Sequence, residues 1–342
     1  MHHQHRPFVP SRRDWLHSTV GAAACLLVGR NACADDAENT RAADRAADAL
    51  QRGLAWLLEN QNAAGDFEGG KHGSDPAIVG LAGRAMLATG GIPGRGKYGD
   101  ALDRCVSYLT AADDESGYLA NPTPGVNSSM YSHGYAAAFL AEAFHAAMNE
   151  RLRATLERAV KLLVAAQSPE GGWRYVPRRE AGADVSVTAC QLVALAAAER
   201  AGIEVPDETI ASAVRYINSC QNADGGFRYL AAGGSSGVPR SAAALAALEA
   251  AGRSMREDLE KARAYLRARR EYFKDARSSH FAYAAYYAVQ AMCRKSNPSA
   301  PEWKDLLREV LVASQQPDGS WSDSRGPAYG TAVGCFVLAY RE

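Results

Sequence analysis

Hydrophobic positions along this chain follow two alternating patterns, with a period of about 50 residues. In the first pattern, apolar side chains recur at i, i+4, i+7 and i+8 with charges between them, as at Leu50, Leu54, Leu57 and Leu58. This spacing predicts helices with one buried stripe. In the second pattern, alanine-rich and nearly uncharged stretches predict helices that protein surrounds on all sides. These stretches are 136–142, 188–198, 241–251, 281–292 and 330–340. The alternation predicts outer helices in water and inner helices that line a core or cavity.

A turn with a shared sequence follows most of the amphipathic segments. In four turns a glutamine precedes a glycine by four positions and an aromatic residue by six. The glutamine and aromatic pairs are Gln61 and Phe67, Gln167 and Trp173, Gln221 and Phe227, and Gln315 and Trp321. Residues 112–118 form a fifth, degraded copy, and the spacing places a sixth unit without the motif near Arg270. We expect the glycine to cap the outer helix in a left-handed conformation, and the glutamine to hydrogen-bond backbone in the neighbouring unit.

The repeated Gln-x-x-x-Gly-x-Trp or Phe sequence resembles the QW motif of the prenyltransferase and squalene cyclase repeat superfamily. The resemblance spans residues 45–340. It implies an all-α fold, an α/α toroid of six helix hairpins with inner and outer layers. In that family the motif is structural, so the resemblance implies little about activity.

Two catalytic sets of the superfamily are incomplete in this sequence. Class II terpene cyclases use an Asp-x-Asp-Asp motif whose middle acid protonates an alkene. The nearest match here begins at Asp184 but has Ser186 and Val187 in place of the next two acids. Protein prenyltransferases hold zinc with Asp, Cys and His, and the Asp-x-Cys pair that this needs one repeat ahead of a histidine is missing. A zinc site would require an improvised set of His133, Asp184 and His280, so we expect no metal and no cofactor.

A binding site is expected on the face that carries the long loops. The loops that lead from outer to inner helices are long, glycine-rich and polar, and they share one end of the ring. The catalytic candidates there are Asp184, His133 and His280, although Asp184 and Ser129 also suit helix N-caps. The ligand-binding candidates are Tyr135, Tyr283, Tyr287, Tyr329 and Arg240. The aromatic residues either line a cavity for an elongated apolar ligand or fill the centre of the ring as ordinary core.

The N-terminus predicts export. Arg12 and Arg13 precede an apolar stretch over 20–28 and the small residues Ala32-Cys33-Ala34, as in a twin-arginine signal peptide. The sequence therefore predicts a cleaved signal over 1–34, a flexible lead over 35–44 and a toroid domain over 45–342. We expect a periplasmic or extracellular protein with no integral membrane span after cleavage.

Composition excludes partners more than it selects them. The chain has 342 residues, 47% of them hydrophobic, with 38 Lys and Arg against 38 Asp and Glu. Net charge therefore gives no attraction to nucleic acid. Five cysteines remain after the predicted signal, widely spaced and without a Cys-x-x-Cys pair, so we expect small buried hydrophobes.

Three functions stay open on the sequence. The first is binding of an apolar, isoprenoid-like small molecule or a protein partner at the long-loop face, without the superfamily's catalytic sets. The second is a divergent active prenyltransferase or terpene cyclase. The third is a carbohydrate-acting (α/α) barrel with two carboxylates across a groove. Gly233-x-Ser235-x-Gly237 formally matches a serine-hydrolase elbow, but such an elbow requires a preceding strand.

Overall fold

Glycine-containing turns divide the chain into alternating outer and inner helices, as predicted. The computed structural model describes residues 40–67, 74–113, 115–119 and 129–341. Outer helices are α1 (40–60), α3 (Gly99–Ala111), α5 (Glu150–Ala166), α7 (Asp207–Ser219), α9 (Arg256–Ala268) and α11 (Ala300–Ser314). Inner helices are α2 (Pro76–Ala88), α4 (Met130–Ala147), α6 (Val185–Arg200), α8 (Val238–Ala251), α10 (Phe281–Met292) and α12 (Pro327–Ala339). The described residues form no strand, which confirms the all-α toroid.

The inner helices close on one another. From Asp48 onward the chain is one compact unit. Within it α4 packs against α2 and α6, α8 against α6 and α10, and α12 against α10 and α2. Alanine and glycine dominate the buried faces of these helices, so their backbones approach closely. Each outer helix packs on its neighbouring inner helices, and the result is a ring of six hairpins.

The glutamine of each turn motif links neighbouring units, as the sequence predicts. Its Nε2 donates to the carbonyl of the turn glycine and to a carbonyl in the next outer helix. Gln167 reaches Gly171 and Thr209, each at 2.8 Å. Gln315 likewise reaches Gly319 and, in α1, Ala49, each at 2.8 Å. The same device therefore joins the last outer helix to the first and closes the ring.

The turn glycine does not cap its helix, which corrects the expectation from sequence. It lies four residues beyond the glutamine, packed against the backbone of the next outer helix. A Cβ at Gly225 would lie 2.3 Å from the Lys261 carbonyl oxygen, and one at Gly65 would lie 2.3 Å from that of Arg104. Both glycines have positive φ, +82° and +104°. Close backbone approach and left-handed conformation thus both require glycine here.

The degraded second turn is shifted by one residue from the register that the sequence suggests. Asp113, not Ala112, occupies the glutamine position, because Asp113 pairs with Leu119 as Gln61 pairs with Phe67. The carboxylate of Asp113 accepts from the N–H of Gly117 at 3.1 Å and from Arg158 of the next outer helix at 2.8 Å. A charged pair therefore replaces the amide link of the other turns.

The fifth turn uses a different contact. A 3-10 helix, Arg270–Lys274, follows α9 where the sequence places the unit without a motif. Phe273 is fully buried there and meets Trp303 of α11 edge to face, with 5.1 Å between ring centroids. We call this contact between the fifth hairpin (α9 and α10) and the sixth (α11 and α12) the fifth seam. Beside it, α10 and α12 pack less extensively than the other inner neighbours do, and a cavity of about 160 Å³ lies against Phe281 and Trp321.

Three further predictions concern the N-terminus, membrane-spanning helices and the cysteines. The predicted signal over 1–34 lies outside them, and the described part of the predicted lead, 40–44, is helical. None of the described helices is long and apolar enough to cross a membrane. The five cysteines are free thiols and buried, as expected, namely Cys105, Cys190, Cys220, Cys293 and Cys335.

Candidate functional site

The N-terminal ends of all six inner helices surround a cavity of about 510 Å³ on the long-loop face. Every inner helix contributes at least one lining residue, from its N-cap or its first two turns. The lining residues include Asp75, Ser129, Tyr131, Ser132, Tyr135, Tyr175, Ser186, Tyr229, Arg240, His280, Tyr283, Arg325 and Tyr329. The cavity therefore occupies the face that the sequence predicts.

The electrostatic environment of the cavity is positive. Each helix N-terminus carries a partial positive charge from its unpaired N–H groups, and six of them converge here. Arg240 adds a full charge and Arg325 adds one that Asp323 partly balances at 3.6 Å, while Asp75 supplies a carboxylate that caps α2 through the Ala77 N–H at 2.9 Å. Arg240 is held in place, since it donates to the carbonyl oxygens of Phe227 at 3.0 Å and Ser235 at 2.9 Å.

Tyrosine rings form most of the cavity wall. The Tyr131 ring has three of these rings as neighbours. Its centroid lies 6.5 Å from that of Tyr135, 6.3 Å from that of Tyr175 and 6.4 Å from that of Tyr283. Tyr135 in turn contacts the rings of two deeper residues of α10, Tyr286 at 5.5 Å and Tyr287 at 6.4 Å. Both expectations for the aromatic residues thus apply, at different depths. The ring is hollow at the mouth and filled below it.

Four of the five ligand-binding candidates line the cavity. They are Tyr135, Tyr283, Tyr329 and Arg240. Tyr287 is fully buried behind two of them, with its ring 4.9 Å from that of Tyr283. Of the three catalytic candidates, His280 lines the cavity, and His133 and Asp184 are buried outside its lining.

Asp184 is the N-cap of α6, as the sequence suggests. Its Oδ1 accepts from the N–H groups of Ser186 and Val187, each at 2.9 Å, and its Oδ2 accepts from the Tyr229 hydroxyl at 3.1 Å. Burial raises the pKa of this carboxyl, and the hydrogen bonds oppose the rise. The Tyr229 hydroxyl also lies 2.6 Å from that of Tyr175. Asp184 thus reaches the cavity only through a chain of tyrosine hydroxyls.

His133 holds a turn against its inner helix. Its Nδ1 accepts from the Leu119 N–H at 3.2 Å, and its Nε2 lies 3.3 Å from the Ala159 carbonyl oxygen. The corresponding N–H of Trp173 donates to the Thr188 hydroxyl at 3.0 Å. A histidine here does what a threonine hydroxyl does in the next unit. These contacts are those of a packing residue, and they place His133 outside the cavity lining, where its catalytic role stays an untested prediction.

Two further units repeat this link from turn to inner helix. The N–H of Phe227 donates to the Ser241 hydroxyl at 2.8 Å, and that of Trp321 donates to the Thr331 hydroxyl at 3.1 Å. The acceptors lie in the first turn or just beyond it in their helices. A polar residue at this position therefore signals packing.

The structure does not assemble the improvised zinc set. His133 and Asp184 have the contacts described above, and His280 is the N-cap of α10, with φ +61°. Among the residues that the structure describes, no group of three or more His, Cys, Asp or Glu is placed to hold a metal ion.

Sequence reasoning missed four aromatic or charged residues of the cavity, namely Tyr131, Tyr175, Tyr229 and Arg325. Tyr175 and Tyr229 each lie two positions after the aromatic residue of a turn motif, in neighbouring units. That shared offset is the signal that could have found them. Tyr131 and Arg325 carry no such signal, because only the orientation of their helices and loops brings them to the cavity.

Comparison with known proteins supports the fold. Residues 42–278 match the prenyltransferase alpha-alpha toroid domain family. A variant of the type II terpene cyclase MstE from Scytonema, in complex with its product merosterolic acid A, superposes with a TM-score of 0.66 at 17% identity, covering 87% of this chain and 97% of that one. Another variant of the same cyclase, in complex with its substrate geranylgeranyl dihydroxybenzoate, gives 0.64 at 16% identity, with 87% and 98% coverage.

Carbohydrate-active toroids are also similar in structure. An inactive variant of the alpha-1,6-mannanase GH76A of Salegentibacter sp. HEL1_6, in complex with alpha-1,6-mannotriose, superposes with a TM-score of 0.64 at 7% identity, covering 85% of this chain and 97% of that one. At these identities the likeness concerns the fold alone. No curated protein sequence matches the chain. The family match covers more than half of the sequence, and the chain therefore belongs to the prenyltransferase alpha-alpha toroid domain family.

Proposed function

We propose that this protein binds an elongated apolar ligand of isoprenoid type in the tyrosine-walled cavity of the long-loop face. The single observation that carries the proposal is a hollow of about 510 Å³ at the convergence of six inner helices, with aromatic rings as its wall. Small-molecule sites measure about 300–1,000 Å³ and are lined mainly by apolar and aromatic groups. Tyrosine rings present wide apolar faces to a chain of methyl-branched carbons.

The lining chemistry favours binding over class II cyclisation. Ser186 lines the cavity at the position where the resemblance to class II cyclases implies the proton-donating acid. A serine hydroxyl is far too weak an acid to protonate an alkene. Asp75 is the one carboxyl among the described lining residues, and it caps a helix. We therefore propose a binding protein and keep a divergent cyclase as an outcome of the test.

Glycoside hydrolysis receives less support from the same residues. Most glycosidases need two carboxyl groups about 5–9.5 Å apart, one as an acid and one as a base or nucleophile. The described lining supplies only Asp75. The mannanases share the toroid, and MstE, which binds geranylgeranyl dihydroxybenzoate as its substrate, shares it too. The aromatic wall makes the second kind of ligand the better hypothesis.

Binding is tested with farnesol and geranylgeraniol, by native mass spectrometry and by tyrosine fluorescence titration. The variant Ser186→Phe fills part of the cavity and should weaken binding by more than 10-fold. Ser107→Phe is the matched control, since Ser107 is exposed on the outer helix α3, and it should bind as the parent does. Lack of binding by the parent protein, or undiminished binding by Ser186→Phe, would contradict the proposal. A cyclised product in extracts of the incubated mixture would replace it with the enzyme hypothesis.

We also propose that the protein is exported by the twin-arginine route, with cleavage after Ala34. The basis is the sequence of residues 11–34, with its paired Arg12 and Arg13. Expression with a C-terminal tag in a twin-arginine-competent bacterium should give a periplasmic or secreted form that starts at Asp35 by N-terminal sequencing. A double Arg→Lys variant should keep the precursor in the cytoplasm. An uncleaved, exported chain in the parent would contradict the cleavage site.

A further inference from the structure

Three successive tyrosines of α10 carry buried hydroxyl groups without a hydrogen-bond partner. By distance and angle, the hydroxyls of Tyr283, Tyr286 and Tyr287 make no good hydrogen bond to any residue that the structure describes, although Ser186 lies beside Tyr283, and Tyr135 and Cys190 lie beside Tyr287. Tyr286 and Tyr287 are buried almost completely, at 1% and 0% exposure. Protein interiors seldom leave such groups unpaired, because each one costs the free energy of its lost hydration. Three in one layer of the ring therefore require an explanation.

A guanidinium nitrogen in the same layer is also unpaired. Arg84 of α2 is buried at 4% exposure, and its Nε and Nη2 donate to the Glu142 carboxylate at 2.9 and 2.6 Å. Its Nη1 is buried without a hydrogen-bond partner among the described residues. The Arg84 guanidinium lies 5.4 Å from the centroid of the Tyr286 ring. The unpaired groups thus belong to one cluster on the axis of the ring.

This cluster adjoins the cavity through Tyr283, and its other three residues lie behind the lining. Tyr283 lines the cavity and contacts the Tyr287 ring at 4.9 Å, and the Tyr287 ring contacts the Tyr286 ring at 4.8 Å. Tyr135, which also lines the cavity, contacts both deeper rings. We call Tyr283, Tyr286, Tyr287 and Arg84 the donor floor.

The donor floor offers more donors than acceptors. The Arg84 N–H can only donate, and a tyrosine hydroxyl donates well to an oxygen acceptor. Burial raises the pKa of Tyr283 and Tyr287 well above the ordinary value, so both hydroxyls keep their protons at neutral pH. The Arg84 charge is balanced by Glu142, so the floor recognises an oxygen atom by hydrogen bonding more than by net charge.

We propose that the donor floor binds an oxygen acceptor, such as a hydroxyl, carbonyl or carboxylate oxygen, at one end of an apolar ligand. The ligand then enters with its oxygen-bearing end first and leaves its hydrocarbon body against the tyrosine wall. This inference rests on the proposed binding function and specifies which end of the ligand lies deepest.

The test compares three ligands of equal chain length, farnesol, farnesoic acid and the hydrocarbon farnesene. The parent should bind the alcohol, the acid or both about 10-fold more tightly than farnesene, since one good hydrogen bond in a dry site is worth about one decade of Kd. Tyr287→Phe and Tyr283→Phe should remove this preference, so that farnesol and farnesoic acid bind each variant no more tightly than farnesene does. The ligand-free variants should melt at the same temperature as the parent or higher, because they lose an unpaired hydroxyl.

Tyr272→Phe is the control, because the Tyr272 hydroxyl donates to the Ser279 carbonyl outside the cavity lining. It should lower the melting temperature and leave the preference for oxygen-bearing ligands intact. Equal affinity of the parent for all three ligands, or an unchanged preference in both Phe variants, would overturn the donor floor and leave the binding function standing. Failure of all three ligands to bind would instead reject the binding function itself.

Discussion

Turn glycines in this protein show how one residue can be fixed by two separate demands. At Gly225 the backbone is left-handed, with φ +82°, and a Cβ would press on the Lys261 carbonyl oxygen. Gly202 has the same φ of +82°, but a Cβ there would meet nothing within 4 Å. The pair separates conformational strain from steric contact, which are usually confounded.

Gly225→Ala should therefore destabilise the protein more than Gly202→Ala. A left-handed alanine costs about 1–2 kcal/mol in both variants, and the clash with Lys261 adds about 1–3 kcal/mol in the first. Urea unfolding followed by circular dichroism gives both free energies of unfolding. Equal losses would mean that the close approach of turn and outer helix is unimportant.

Asp184 should make stability depend on pH. Burial raises its pKa in the folded state above the usual value of about 3.9. Between these two values the folded state binds more protons than the unfolded state, so this contribution is complete below about pH 4 and is lost as pH rises through the folded pKa. Asp184→Asn keeps an N-cap and removes the titration.

The difference in the free energy of unfolding between Asp184→Asn and the parent should thus shift in favour of the variant from pH 4 to pH 7. Urea unfolding at four pH values measures it. Taking the difference cancels the titration of carboxylates common to both proteins. A difference that is flat with pH, or that favours the parent as pH rises, would contradict the assignment of a buried, raised carboxyl.

Residue identity alone predicted part of the site. Tyr135, Tyr283 and Tyr329 were found because aromatic residues at the start of apolar inner helices are expected to face the space that those helices enclose. His133 is a catalytic candidate from sequence because a packing acceptor and a catalytic base have the same side chain, and its contacts to the Leu119 N–H and the Ala159 carbonyl are visible only in the structure. The orientation of a helix about its own axis decides such cases, and an alanine-rich helix leaves that orientation unmarked.

At the scale of helices and turns, four glutamine links and one charged link hold neighbouring outer helices together. The link from α9 to α11 differs, since Phe273 and Trp303 replace it with an aromatic contact. The one-residue shift at Asp113 was hidden from sequence because residues 112–118 also keep a glycine and an aromatic residue. The contacts of Asp113 with Gly117 and Arg158 define the true register, and they are visible only in the folded structure.

The fifth seam should open first. It lacks the amide link, α10 and α12 pack less extensively than other inner neighbours, and a cavity of about 160 Å³ adjoins it. Local opening has the lowest free energy where packing is sparse. Hydrogen exchange with mass spectrometry should show faster exchange in α10, α11 and α12 than in the inner helices α4, α6 and α8. Uniform protection across the six inner helices would contradict the weak seam.

A substitution that fills this cavity tests the same prediction in the opposite direction. Ala282→Val adds two methyl groups to a residue that lines the cavity. It should slow exchange in α10 and α12 and leave exchange in α4 unchanged, because added contacts fill a void without strain. Faster exchange at the seam in this variant would show that the space is already packed as tightly as it can be.

At the scale of the whole ring, sequence predicted the architecture well because four full copies of the turn motif and the alternation of helix types recur along the chain. Helix type, layer and the face of the long loops all follow from periodicity and turn position. Closure was less visible, since it depends on Gln315 reaching Ala49 across nearly the full length of the chain. The depth of the hollow was not predictable either, because tyrosines fill or line space according to small differences in helix tilt.

Because the ring is closed, a circularly permuted chain could begin and end at a different short return. Each outer helix follows a short return and each inner helix precedes one, so a flexible linker from Arg341 to Asp48, which would replace residues 1–47 and with them the first two turns of α1, would be a sixth return. A permuted chain that is joined in this way and opened between Gly202 and Pro206 should fold to the same ring, with a melting temperature within about 10 °C of the parent. Circular dichroism and light scattering check it. An aggregated or unfolded permutant would show that folding depends on the order of the hairpins along the chain.

The links between turns and helices also have an evolutionary consequence. Glutamine, glycine and the turn aromatics join neighbouring units at the circumference of the ring, while Tyr131, Tyr283 and Tyr329 face the hollow and take no part in those links. Substitution at the mouth can therefore change which molecule fits without threatening the assembly. A fold organised in this way can change its ligand specificity while its helix packing stays constant.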